Sequence, residues 1–530
     1  MSQEDPTVRV KSGFFRDTFR HTAIYSGASV LGRLISFFML PFYAHIFRDL
    51  GYGVIGMIDA ALVFLSSLVG YQFQSAITRI YHEEPDVQRK KLTVPTGTIL
   101  VAGMTSILLL VSCLLSRPLS HLLLGSGEYW HLICIATAAF AIDMVGHSSQ
   151  TILLIQRRSV LYSAIGLVRL FLGIGLNILL VVILRWDLLG YFLSALAISI
   201  VSSAISIVIA IRECGFGFDR ELARRLLAYQ LPLIPGSFTN FFARQIERVL
   251  VRYQIDISTL GVLEMAYKFP VLIGLLIAQP FMRSWGPKQI EIADEAGAPE
   301  RMSRMFTYFL FLLLFGSLLM AVNIAVLLKL LTPPEFWPGY RVARIEIARN
   351  IVGACFGYFH FGLVYAKRTS KIAQVTMVTS VIKVGLSYVM ISNWGIYGAA
   401  WSGLLAMTLQ TVWSYFLADR YYHIPIDWRR VLTMVGTAVV IFIVVDRIDT
   451  ATIATWGSPI LDRTADFLAS MQDSWLGRLK DGKVLGLLID KIDLVMELIV
   501  KTILVSAYLV LFPIVHAETR QKLMRWRPRR

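Results

Sequence analysis

HTAIYSGASVLGRLISFFMLPFYAHIFRDLGYGVIGMIDAALVFLSSLVGYQFQSAITRIYHEE runs from His21 to Glu84. It holds two long apolar runs joined by the short link Arg48-Asp49-Leu50-Gly51, with Arg33 inside the first run and Asp59 inside the second. Each run is long enough to cross a bilayer, which takes about 20 apolar residues. The stretch therefore reads as a membrane helical hairpin carrying two buried charges. Charges at that depth are costly and by default mark a functional path.

The rest of the chain agrees with this class. Of its 530 residues 56% are hydrophobic and 16% charged, with a mean hydropathy of +0.63. A soluble domain carries roughly a quarter charged residues, so the composition is that of an integral membrane protein. The net charge is +16, from 51 Lys and Arg against 35 Asp and Glu. These basic residues fall mostly in short loops between apolar runs, which suits a topology signal and leaves no basic face for a nucleic acid. The four cysteines, Cys113, Cys134, Cys214 and Cys355, form no CxxC spacing and read as small hydrophobes, without a disulfide or metal site. No GxxxxGK[ST], HExxH or GxSxG pattern occurs. The expectation is a protein without ATPase activity, enzymatic chemistry or cofactor, whose energy comes from a gradient or a downhill flux.

Fourteen spans are expected: 22–47, 52–78, 93–115, 130–154, 160–184, 187–211, 229–251, 259–282, 305–330, 345–366, 372–392, 395–418, 431–446 and 494–515. With the N-terminus inside, the inner segments hold 30 Lys and Arg and the short outer segments hold 7. That asymmetry supports cytoplasmic termini and an even number of spans. Trp130, Trp186, Trp337, Trp394 and Trp428 mark span ends, where amphipathic rings settle. The polar first 20 residues read as a retained cytoplasmic tail. The outer segment 447–493 spaces Leu461, Phe467, Leu468, Met471, Trp475 and Leu479 as an amphipathic helix on the outer surface, ahead of a lid over the outer mouth. After it, Asp490, Asp493, Glu497 and Lys501 form one polar stripe facing protein or headgroups.

Residues 53–57 read GVIGM and residues 261–265 read GVLEM, an offset of 208 at which Phe73 also matches Phe281. Repeated halves are common in secondary transporters. This organises the chain as an N-lobe of spans one to six (1–211), a C-lobe of spans seven to twelve (212–420), and residues 421–530 with the last two spans and the outer segment. Pro41, Pro232, Pro235, Pro270 and Pro280 lie in or near the two matched hairpins, where a missing backbone donor bends a helix.

Arg244, Arg248 and Arg252 lie four apart and share one face of span seven, flanked by Gln245 and Glu247. A lipid-facing row of arginines is too costly. Arg244 and Arg248 read as cavity-facing, with a buried pair to Glu247 as the competing account, while Arg252 is shallow enough to snorkel to the interface. The deep cations are Arg33, Arg169, Arg244, Arg248, Lys268, Arg349 and Lys383, against Asp59, Asp143, Glu247 and Glu264. Interhelical pairing, such as Arg33 with Asp59 in the opening hairpin, is the alternative, and for Asp143, Arg169, Arg349 and Lys383 it accounts for the charges as well as function does. The balance is cationic and suits an anionic substrate, because arginine holds phosphate oxygens bidentately.

Three stretches carry a family resemblance: YSGASVLGRLISFFMLPFYAHIF with LGYGVIGMIDAA, LPLIPG and RQIERVLV with TLGVLEMAYKF, and PFMRSWGP. Through them the chain, to about residue 420, resembles the Wzx-type polysaccharide flippases of the superfamily that also holds the MATE exporters and the lipid II flippase MurJ. The resemblance implies an all-α integral membrane fold of two pseudo-symmetric six-helix lobes in a V, plus two C-terminal helices. It implies alternating access and, as cargo, an undecaprenyl-pyrophosphate-linked oligosaccharide moved from the inner to the outer leaflet of a bacterial inner membrane. The cationic cavity it implies is carried over to Arg33, Arg244, Arg248 and Lys268, with Asp59, Glu247 and Glu264 for ion coupling or charge balance. The setting it implies is exopolysaccharide, lipopolysaccharide or O-antigen synthesis, with membrane lipids, a polysaccharide polymerase and export machinery as partners and an antiport cycle. Rival readings are a cation-coupled drug exporter on the same fold, which favours an acidic cavity, a membrane-embedded glycan polymerase or ligase, which needs large outer loops, and a non-transporting component of an assembly complex. The long segment 447–493 departs from the family's short loop.

Overall fold

The structure, a computed structural model, describes residues 39–69, 73–447 and 492–515. Arg33, the segment 448–491 and both termini lie outside the described residues. Among the described residues the protein is helical with no strand, and ten helices are long and apolar enough to cross a membrane. Each of the fourteen expected spans carries helix, so the protein is an all-α, multi-pass integral membrane protein. The described residues form two compact units, 1–261 and 262–530.

The first unit holds α1 (Leu40–Val69), α2 (Phe73–Glu83), α3 (Val87–Leu114), α4 (Ser116–Leu124), α5 (Trp130–Ile155), α6 (Ser159–Asn177), α7 (Asp187–Cys214), α8 (Arg220–Gln230) and α9 (Ile234–Gln254). The expected link inside α1 is real: the backbone leaves the helix at Arg48, with φ 54° and ψ −168°. Central α5 packs between α3 and α7. Helix α8 is not a span. Asp219 caps it by accepting from the amides of Glu221 and Leu222 at 2.8 and 3.0 Å. Its Leu222 and Leu226 are fully buried against α2 and α3, each contributing about 1.5–3 kcal/mol outside the bilayer. Arg89 reaches Asp219 at 3.0 Å and Arg225 reaches Glu84 at 2.6 Å, which fixes α8 at its start and its middle. Helices α8 and α9 thus pack in the first unit although the sequence repeat begins its second copy before them. The border between copies and the border of packing are different things.

The second unit continues α10 (Ile257–Lys268), which begins at the end of the first, with α11 (Gln279–Ile292), α12 (Ala298–Leu331), α13 (Gly339–Phe359), α14 (Thr369–Asp419), α15 (Trp428–Asp446) and α16 (Ile492–Val515). A wider turn at Gly274–Ala278 precedes Pro280, where a proline ring would otherwise collide with the carbonyl four residues back. The PFMRSWGP stretch is a packing element: Phe281 stacks on Phe309 at 4.2 Å and Trp285 is buried beside Tyr358 in the core. The polar stripe of α16 faces protein at Glu497 and Lys501, which pair at 2.6 Å and are both buried, with Asn323 of α12 donating to Thr502 one residue on at 3.4 Å. Arg344 of α13 binds both carboxylate oxygens of Asp446 at the end of α15 and donates to the Ala321 carbonyl of α12 at 3.1 Å, tying three helices.

The repeat is visible in backbone geometry. Arg157 and Lys367, 210 residues apart, both take positive φ (56° and 55°) at a helix link, each followed by arginine and then a hydroxyl residue. Asp187 and Gly395, at the offset of 208, take φ 50° and 57°, each preceded by tryptophan and followed three residues later by glycine.

Candidate functional site

Helices α1 and α9 pack together in the first unit and carry four of the expected site residues. They run antiparallel. Phe64 meets Phe238 and Phe241 edge-on at 5.6 and 5.3 Å, and Ser67 donates to the Ser237 carbonyl at 3.4 Å. Continuing that register five residues from Phe64 brings Asp59 level with Arg244. Arg244 is central in α9, at 1.5 Å per residue about 15 Å from either end of that helix. The Asp59 and Arg244 side chains are both exposed.

Arg248, one turn on, is half-buried and donates to Gln245 Oε1 and to the Arg244 carbonyl at 3.4 Å. Gln245 and Glu247 are buried, Glu247 to 1% exposure. The α9 face thus sorts itself: Arg244 open, Arg248 bridged to a neutral amide, Glu247 sealed. Arg252 does not join them. Its Nε donates to the Leu123 carbonyl at 3.0 Å while Tyr253 OH donates to that of Leu122 at 2.8 Å, so the pair satisfies the last carbonyls of α4.

The layer is bounded on both sides. Toward the Val69 end the ring cluster lies about 7.5 Å from Asp59 along the helix. Toward the Asp49 end Gly53 sits against the backbone of Ile257, where an added Cβ would lie 1.8 Å from the carbonyl oxygen. Gly261 meets the Asp49 carbonyl oxygen with the same 1.8 Å. Gly53 and Gly261, like Asp49 and Ile257, are 208 apart, so each repeat-equivalent glycine seats the other copy's link residue.

In the second unit Glu264 is buried and Lys268, about 16 Å along its helix from Ile257, is exposed. Arg349 pairs with Glu346 and lies over the Tyr267 ring at 5.4 Å. Lys383 is buried. In the first unit Arg169 of α6 pairs with Asp143 of α5, so interhelical pairing is what those two do, and His147 Nε2 adds a third group 3.4 Å from the same carboxylate. Sequence reading passed over His147 and the Phe64 cluster. The signal for His147 was its place four residues after Asp143, on the same face. Among the described residues no group of three or more His, Cys, Asp or Glu is placed to hold a metal ion.

The family model described as polysaccharide biosynthesis protein matches residues 19–293. A search of curated protein sequences gives no match. Among solved structures, the chain is similar to the lipid II flippase MurJ in an inward closed conformation, with a TM-score of 0.66 and 13% identity over 93% of this chain and 99% of that one. It is also similar to an inward-facing multidrug resistance MATE family transporter of the MOP superfamily, with a TM-score of 0.54 and 15% identity over 75% of this chain and 94% of that one. At these identities the likeness is one of fold.

Proposed function

The chain belongs to the polysaccharide biosynthesis protein family, and from that premise we propose that it moves an undecaprenyl-pyrophosphate-linked oligosaccharide from the inner to the outer leaflet by alternating access. It acts as a carrier and not as an enzyme, in a bacterial inner membrane with both termini cytoplasmic. The observation that carries this reading is that Asp59 and Arg244 lie level on the packed helices α1 and α9, inside two of the expected spans, with exposed side chains. An ionised side chain there costs roughly 2.5–3.5 kcal/mol on insertion scales when it meets lipid, so these two open onto water or a polar cargo. Arg244 and Arg248 receive the pyrophosphate, whose oxygens match the guanidinium fork. The same role is proposed for Arg33 and Lys268 from the family resemblance. Asp59, Glu247 and Glu264 balance the charge. The rival drug exporter needs acidic groups to lead, whereas in the first unit's layer the open carboxylate is matched by two arginines.

The test is reconstitution in vesicles with a fluorescent lipid-pyrophosphate-linked sugar, following its loss from the loaded leaflet. A hydrogen bond to a charged group contributes about 1.5–3 kcal/mol, so Arg244→Ala/Arg248→Ala lowers the rate by about tenfold or more. Equal movement by wild type and the double variant would remove the arginines from the site. No movement of any such lipid by the wild type would overturn the function.

A further inference from the structure

Asp143, His147 and Arg169 lie inside the first unit, on α5 and α6. Asp143 is about 18–20 Å from either end of α5, and Arg169 is about 15 Å from the start of α6. Arg169 binds Asp143 Oδ1, and His147 Nε2 stands 3.4 Å from Oδ2. The three side chains remain 25–33% exposed, so the cluster is not sealed.

Features that serve the fold occur in both copies of the repeat: the left-handed links, the paired tryptophans and the seated glycines. This cluster does not. At the offsets of 208 and 210, Asp143 corresponds to Ile351 and Gly353, His147 to Cys355 and Gly357, and Arg169 to Met377 and Thr379. The second unit builds the same helices without it, so the fold does not require it.

The charge count gives the cluster its chemistry. Arg169 already neutralises Asp143, so with a neutral imidazole the net charge is zero. One proton from water on His147 takes it to +1. A net charge at this height is costly in an apolar surround and tolerable once water enters. Proton occupancy and hydration are therefore linked, and a charged His147 competes with Arg169 for the carboxylate that joins α5 to α6.

The packed neighbours add little. Helix α6 contributes Arg169. Helices α3 and α7 have no Asp, Glu, Lys, Arg or His between residues 92 and 114 or between 188 and 211. Their Tyr191 and Cys113, with Cys134 of α5, lie at the opposite helix end from the one that meets α2. Helix α1 carries His45, Arg48, Asp49 and Asp59. Helix α2 carries Arg79, His82 and Glu83 near its end, and α4 carries Arg117 and His121 at the other side of the unit.

We propose that Asp143, His147 and Arg169 form a proton-binding site, with His147 taking the proton and thereby altering the α5–α6 tie. The site lies beyond the cargo reading and does not rest on it. The test uses the full chain in lipid nanodiscs with histidine ring carbons labelled, the His147 resonance being assigned by its loss in His147→Gln. The expected result is a reversible move between the neutral and charged ring positions on acidification, with a midpoint that shifts in Asp143→Asn. If Asp143→Asn fails to fold because Arg169 loses its partner, Asp143→Asn/Arg169→Gln keeps the cluster neutral and gives the same reading. A resonance fixed at one position while the protein stays folded overturns the proposal, and so does a midpoint indifferent to Asp143. No cargo is needed, so the outcome stands apart from the vesicle assay.

Discussion

Arg244, Arg248 and Arg252 share one face of α9 by their spacing of four, and their surroundings separate them. Arg252 completes the carbonyl end of α4, where a cation also meets the negative end of the helix dipole. Arg252→Ala should lower thermal stability by about 1 kcal/mol, the scale of a net hydrogen bond, and leave glycolipid movement in vesicles near wild type. A loss of movement with unchanged melting would put Arg252 back with the other two. Asp219 gives a pH prediction. The Arg89 guanidinium beside it, with the amides of Leu222 and Glu221, holds its carboxyl below the usual carboxylate range. A carboxyl lowered on folding contributes stability above its unfolded value, near 3.9, and loses it as pH falls through the folded one. Below about pH 4, then, α8 should begin to open, seen as faster amide exchange over residues 220–230 after correction for intrinsic rates. Asp219→Asn keeps the cap but not the ion pair. It should show the faster exchange already at neutral pH, with little further change on acidification.

At the scale of elements, the informative contacts are those where two backbones touch. Any side chain at Gly53 or Gly261 drives a Cβ to 1.8 Å from a carbonyl oxygen, and no rotamer relieves that, because both partners are main chain. Gly53→Ala should cost about 1–3 kcal/mol, the range for overpacking. Gly103→Ala in α3, where nothing lies within 4 Å, should be neutral or slightly stabilising. Equal melting of the two variants in detergent would show that the crossing is looser than the geometry says. The Glu497–Lys501 pair obeys another rule. Lys501→Met breaks the buried pair and should cost about 3–5 kcal/mol, while Glu497→Gln/Lys501→Met should recover most of it.

At the scale of the molecule, the fourteen apolar runs and the 208-residue offset were legible because length, hydropathy and a glycine-marked motif are local properties. The link at Arg48 was legible for the same reason. What was not legible was which charged side chains are joined across α5 and α6 and which are exposed on α1 and α9, since that depends on the rotation of one helix against another. Arg169 and Asp143 looked no different from Arg244 and Asp59 until α5 met α6 and α1 met α9. Nor could the sequence separate copy from packing at α8, whose burial depends on Leu222, Leu226 and a distant Arg89. The duplication itself is open to a test at the links. Gly395 holds φ 57° with ψ −136°, a region almost reserved for glycine, while its counterpart Asp187 holds φ 50°, which aspartate tolerates better than most residues. Both positions take a positive φ, and one copy meets it with the residue that adopts it most easily. Gly395→Ala should lower the melting temperature, at a cost of about 1–3 kcal/mol. Asp187→Gly should leave it within about 0.5 kcal/mol or raise it, because glycine removes the steric cost of positive φ. If instead Asp187→Gly is the more damaging change, the carboxylate has a role of its own and the two links are not equivalent.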